Sequence, residues 1–306
     1  MTPILSSNLT HLLHHTFYKP KGDIKAALLI VHGMSEHGGR YAKFAQFLAD
    51  HGVFVGVFDQ LGHGKTAKSS HELGFFGTDH PIQTLCKDVI IMADKLKELT
   101  PNVPQFILGN SMGSFIVRLV LTHHAHRFHG AILMGAGDRV GALGVIATPA
   151  LTVLNRFYPT LKNKRLAWLL NDSLLSQLRS PVSSSPFAWL SENTDNIKAF
   201  ESDPLCGFAF TNNGFFTLNA LVKKACRGEW LTQIPKDYAI LLISGKDDPV
   251  GSMGADVPRL HDKLIAIGAD VTSRLYVNMR HEPLQETNHC MVFGDVLAWL
   301  IRHTHA

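Results

Sequence analysis

Three separated stretches of the chain carry residue types able to perform acyl-transfer chemistry together. Gly109-Asn110-Ser111-Met112-Gly113 fits the pattern G-x-S-x-G. The pattern alone is weak, and its placement gives it value: Phe106-Ile107-Leu108 before it is apolar strand text, and Phe115-Ile116-Val117 after it reads as helix. Turning directly from strand to helix holds Ser111 in a strained backbone conformation, and the flanking glycines keep side chains out of the crowded strand–helix contact. The hydroxyl then projects above the sheet near the positive end of the helix. A serine hydroxyl is a poor nucleophile until a base takes its proton, and that base needs an orienting carboxylate.

In this arrangement the partners follow the nucleophile in the order acid, then histidine. The turn after a late strand offers two acids, Asp247 and Asp248. Pro249 stiffens the turn and favours Asp248, with Asp247 as the rival. His281 lies in the loop after the next strand, while His289, beyond Pro283, falls at a helix start. Acyl transfer builds negative charge on a carbonyl oxygen, which demands fixed N–H donors. Met112 opens the helix after Ser111, so its N–H lacks an intrahelical partner. The second expected donor is the N–H of Met34, in the loop after the early strand Ala26–Val31. His32 in that loop reads as structural. His123, His124, His126 and His129 fall at and beyond a helix end, where their rings suit exposed carbonyls, so no metal or other cofactor is expected.

These groups need a scaffold. Ala26–Val31 and Val53–Phe58, with 105–108, 131–134 and 239–243, are apolar at nearly every position, the signature of strands covered on both faces. Helical patterns over 41–51, 83–99 and Met112–His124 alternate with them. The alternation predicts an α/β fold, a mostly parallel sheet with helices on both sides and right-handed crossovers. The strand pattern stops after 134 and resumes at 239, followed by a helix at 257–267, a strand at 271–277 and a helix at 291–303. The economical division is a core of 1–138 and 231–306, interrupted by a helical insertion at 139–230.

Composition limits the alternatives. The 306 residues are 45% hydrophobic and 18% charged, which excludes general disorder. A net charge of +4 without a run of five basic residues argues against a nucleic-acid partner. The four cysteines, at 86, 206, 226 and 290, form neither a zinc pair nor a disulfide framework. The first eight residues lack the basic and apolar stretches of an export signal, and the longest uncharged apolar stretch, 140–155, contains Pro149 and falls short of a spanning helix. A soluble, cytoplasmic protein is expected.

Taken together, the segments 32–41, 58–64, 109–113, 245–248 and 280–282 resemble the monoacylglycerol lipase / lysophospholipase group of α/β hydrolases, a resemblance that runs from about residue 15 to the end and is weakest in the insertion. It implies an eight-stranded sheet, a mobile helical cap, and hydrolysis of single-chain acyl esters through an acyl-serine intermediate. It also implies that Glu36 and Arg40 lie near the polar head of the substrate; the competing reading is a buried ion pair that holds their loop. Asp59 and His63 are expected to brace a turn. Asn110 departs from the group, where a histidine often precedes the nucleophile. An insertion rich in Leu, Val, Ile and Ala can line an acyl tunnel or rest transiently on a membrane surface. The expected substrate is therefore a small-molecule acyl ester. The alternatives are a peptidase or small-ester hydrolase of the same fold, and a catalytically silent ligand-binding protein. Ser111 at the elbow excludes hydrolases that attack with an aspartate.

Overall fold

A computed structural model describes residues 3–304, with only the backbone at 142 and 143. The outermost two residues at each end of the expected core lie outside the described residues, as do two side chains of the apolar stretch 140–155. The strands are β1 (His15–Tyr18), β2 (Ala26–Val31), β3 (Val53–Phe58), β4 (Gln105–Asn110), β5 (Gly130–Met134), β6 (Ala239–Gly245) and β7 (Asp270–Tyr276). They form one sheet in the order β1-β3-β2-β4-β5-β6-β7. Only β1 runs antiparallel to its neighbour. The helices are α1 (Ala42–Asp50), α2 (Pro81–Leu99), α3 (Met112–His124), α4 (Ala142–Ile146), α5 (Thr148–Phe157), α6 (Lys164–Leu175), α7 (Thr194–Ser202), α8 (Asn212–Arg227), α9 (Asp256–Ala266) and α10 (His289–Arg302).

Strands β2 to β6 are buried at every position, because helices cover both faces. The two-residue repeat of a strand divides their side chains. Ala27, Leu29 and Val31 join a core with α2, α3 and α8, while Ala26, Leu28 and Ile30 join one with α1 and α10.

The sheet corrects one expectation: the described residues form seven strands, not eight. The segment ahead of β1 folds back on itself through an isolated Leu5–Leu12 bridge. Its polar groups are spent elsewhere, since the Ser6 hydroxyl and the Ser7 N–H each donate to the Asp88 carboxylate on α2 at 2.7 Å. Strand β1, with the mixed sequence His-Thr-Phe-Tyr, is an edge strand that no apolar run announces.

Helices α4 to α8 lie between β5 and β6, and they are held differently. Helix α8 lies in the main core, with Phe215, Leu221 and Ala225 buried alongside α3. Helix α6 has no buried residue. Helices α4 to α6 expose Ile146 (76%), Phe157 (69%) and Trp168 (61%).

Candidate active site

The register of the sheet sets the turn that carries Ser111. Strand β4 pairs with β2 so that Gly109 stands opposite Val31. Helix α3 then begins so close to β2 that a Cβ on Gly113 would collide with the Val31 carbonyl, and one on Gly109 would sit 2.5 Å from the Gly113 carbonyl oxygen. Between them Ser111 has φ 51° and ψ −116°, a backbone state that side-chain-bearing residues rarely adopt. Its own N–H is tied to the Met134 carbonyl at the end of β5 (2.9 Å).

That bond also fixes where the imidazole sits. Gly135, the next residue, has φ +56° and approaches the His281 ring so closely that a Cβ would lie 2.8 Å from Cε1. His281 Nδ1 is 3.0 Å from Asp248 Oδ1. The same carboxylate accepts from the Ser244 hydroxyl (2.7 Å) and the Val250 N–H (2.9 Å). Asp248 is fully buried, whereas Asp247 is half-buried and only its N–H is engaged, with the Met279 carbonyl (3.1 Å). The geometry thus joins Asp248, and not Asp247, to His281. Nε2 of His281 is buried without a hydrogen-bond partner among the described residues.

Burial by itself would depress the His281 pKa, but the Asp248 carboxylate at its Nδ1, with Glu282 and Glu36 beyond, lifts it above the usual histidine range. Burial would raise the Asp248 pKa, and the imidazole with the Ser244 and Val250 donors brings it below the usual range. Both directions describe a pair that favours imidazolium beside carboxylate.

Ser111 and His281 open onto a cavity of about 570 Å³, which Met34 and Met112 also line. Met112 is the first residue of α3, so its N–H faces outward from the helix end. The Met34 loop is braced by two buried histidines. His63 Nε2 accepts from the Ser35 N–H (3.3 Å), and His32 Nε2 accepts from the Gln60 N–H (3.0 Å). Burial pushes both imidazoles below the ordinary histidine range, as those acceptor roles require. Asp59, expected to brace the next turn, accepts from the N–H groups of Gly38 and Lys65 at 2.8 Å.

Glu36 and Arg40 sit in a buried network. Glu36 Oε1 accepts from the Gly33 N–H (2.6 Å), the Tyr41 hydroxyl (2.9 Å) and the Asn110 amide (3.1 Å). Its Oε2 pairs with Arg40 (2.9 Å), which also forks onto both oxygens of Glu282 (2.5 and 2.8 Å) and reaches Asn196 (2.9 Å). Glu36 lines the cavity; Arg40 does not. Asn110 therefore has a definite task here, tying Glu36 to the residue before Ser111.

Several residues of the site carried no sequence signal. Trp189 packs on the His281 ring, with centroids 5.2 Å apart. Glu286 accepts from the N–H of Arg280 (2.9 Å), the Ser191 hydroxyl (2.8 Å), and the N–H groups of Glu192 (3.0 Å) and Asn193 (3.2 Å). The Arg280 guanidinium donates to the carbonyls of Ala188 and Ser180 and pairs with Glu192. These partners lie in irregular segments, where no periodicity announces them.

The described residues include one group able to hold a metal: His37, Asp203 and Cys206, with ligand atoms within 4.8 Å of one another. His37 Nδ1 accepts from the Gly39 N–H (3.1 Å), so Nε2 carries the proton shared with Asp203 at 2.9 Å. Burial pushes the Cys206 thiol up, away from the thiolate a metal needs. The His37–Asp203 bond latches the 37–39 turn to the segment that carries Cys206.

A family model described as "Serine aminopeptidase, S33" matches residues 22–288. The chain is 30% identical to the monoglyceride lipase of Mus musculus over 189 residues, 62% of this chain and 55% of the mouse protein. To the monoglyceride lipase of Homo sapiens it is 27% identical over 297 residues, 94% of this chain and 86% of the human protein. A thermostable carboxyl esterase from Bacillus coagulans superposes with a TM-score of 0.88 at 24% identity, covering 98% of this chain and 97% of that one. At that identity the superposition shows the fold, an α/β hydrolase sheet flanked by helices.

Proposed function

The chain belongs to the Serine aminopeptidase, S33 family of α/β hydrolases, and from that premise we propose that it is a serine esterase acting on single-chain acyl esters of the monoacylglycerol or lysophospholipid type. The observation that carries the reading is the buried Nε2 of His281, which has no partner among the described residues and whose Nδ1 is held by Asp248, in the same cavity as the strained Ser111.

In this reading Nε2 takes the Ser111 proton as the oxygen attacks the ester carbonyl. Asp248 keeps the Nδ1–H tautomer in place and stabilises the imidazolium. The N–H groups of Met34 and Met112 receive the developing oxyanion, each worth a few kcal/mol of barrier. The imidazolium then protonates the departing alcohol. Water repeats the sequence on the acyl-serine, activated by the same nitrogen.

The substrate class is supported by the cavity wall. Leu151, Leu166, Leu170, Leu174, Phe215 and Leu218 offer a surface for an alkyl chain, in a volume typical of small-molecule sites. The aminopeptidase alternative requires a free carboxylate to hold a substrate ammonium. The acids on the wall, Glu36 and Glu282, are already paired with Arg40. In the same reading Glu36 and Arg40 shape the site by holding the Met34 loop against residue 282. Helices α4 to α6 form the movable part of a cap whose exposed Ile146, Phe157 and Trp168 touch a lipid surface during substrate uptake. No helix among the described residues is long and apolar enough to cross a membrane.

A fluorophosphonate probe tests the nucleophile: the parent protein is labelled and Ser111→Ala is not. A series of p-nitrophenyl esters tests the substrate class. Preference for medium or long acyl chains is expected; preference for acetate, or cleavage of aminoacyl amides instead, overturns the lipid-ester reading. Absence of turnover across the series, with tight binding of a fatty acid, identifies a ligand-binding protein.

A further inference from the structure

Trp189 occupies an unusual junction. The residues on either side of it are pinned by the neighbours of His281: Arg280 donates to the Ala188 carbonyl, and the Glu282 N–H donates to the Leu190 carbonyl at 2.9 Å. Its indole lies against the imidazole, centroids 5.2 Å apart and planes tilted by 47°. On its far side Nε1–H donates to Asn171 Oδ1 on α6 at 2.9 Å. Asn171 and Trp189 both line the cavity, as do Leu166, Leu170 and Leu174 of α6. Helix α6 has no buried residue, and Leu166, Ala167 and Leu170 pack only partly buried against the core, so what fills the cavity beneath it adds to the contacts that place it.

We propose that Trp189 is a positioning residue that transmits the packing of α6 to the imidazole of His281, so that an acyl chain long enough to reach α6 steadies the proton transfer and a short one does not. This rests on the esterase reading above. An indole tilted against the ring at this distance brings its π electrons to the imidazolium and keeps water from it. The imidazolium exists while the Ser111 proton is in transit, so a better-held indole lowers the barrier instead of tightening ground-state binding. The charged groups facing His281 do not report on chain length. Asp248 is held by Ser244 and Val250, Glu282 by Arg40 and Asn196, and Glu36 by Gly33 and Tyr41. Trp189 alone of these neighbours is bonded to α6.

The test measures steady-state hydrolysis of p-nitrophenyl acetate and decanoate by the parent, Asn171→Ala, Trp189→Phe and the double variant. Asn171→Ala cuts the tether and leaves the indole; Trp189→Phe keeps a ring on the imidazole and removes the N–H. In each single variant the decanoate-to-acetate ratio of kcat is expected to fall about fivefold, the size of one neutral hydrogen bond, with a smaller change in KM. The double variant should fall no further. Asn171→Asp, which retains an acceptor, should restore most of the ratio. An unchanged ratio, losses that add in the double variant, or no rescue by Asn171→Asp overturns the inference and leaves the esterase reading standing. A parent that hydrolyses neither ester and escapes the fluorophosphonate overturns both.

Discussion

Around His281, residues 280–286 and the facing stretch 188–196 are joined by charge-assisted hydrogen bonds, with Arg280, Glu282 and Glu286 buried. Across the cavity, α4 to α6 present apolar side chains to the cavity and to solvent, and only Leu151 among their described residues is buried. The contrast follows from what each wall must do. In the proposed reaction the base has to hold its place to within a fraction of an ångström, which directional bonds enforce. A wall that admits alkyl chains needs area without direction, which apolar contacts supply.

The largest effects should come from breaking the directional wall at its reacting atoms. Ser111→Ala is expected to lower kcat by at least about 10³-fold without loss of folding, measured by ester hydrolysis and circular dichroism. Asp248→Asn should cost about 10³- to 10⁴-fold by freeing the wrong tautomer. Next comes the ion network: Arg40→Met leaves Glu36 and Glu282 buried without their cation and should lower stability by about 3–5 kcal/mol in urea titration. A pH profile then sharpens the comparison. Since the His281 pKa is raised, the proposed base is protonated at low pH, and kcat/KM should rise with pH through a midpoint above the ordinary histidine value of about 6.5. Asp248→Asn removes the charge that lifts it, so the residual activity should show a lower midpoint. The smallest effect is expected on the apolar wall. Phe157→Ser with Trp168→Ser should change stability by less than about 0.5 kcal/mol per site, while binding to anionic lipid vesicles drops. Unchanged vesicle binding would remove the lipid-surface role of these helices.

The same contrast governs what could be read from the amino acids. Ser111 stood out because close backbone contact demands glycine on both sides, at 113 against Val31 and at 109 against the first turn of α3, and His281 because it follows a strand by a short loop. Asp247 and Asp248 are chemically equal on paper; only the path of the 245–250 turn, which sends one carboxylate inward to Ser244 and His281, separates them. Trp189 and Glu286 lie in segments without a repeat, Asn196 is a polar residue in the first turn of α7, and most of their partners are distant in sequence. Strands β2 to β6 were legible because burial on both faces makes them apolar throughout. Strand β1 was not, since an edge strand tolerates polar residues.

Glu286 draws N–H groups from Arg280, Glu192 and Asn193 onto one carboxylate. Local melting of the 191–193 segment would strip that carboxylate of most of its donors and release the turn that carries His281, so the two should open as a single cooperative unit. On gradual heating, amide exchange at 191–193 and loss of turnover are expected to rise together, before the central strands give up their protection.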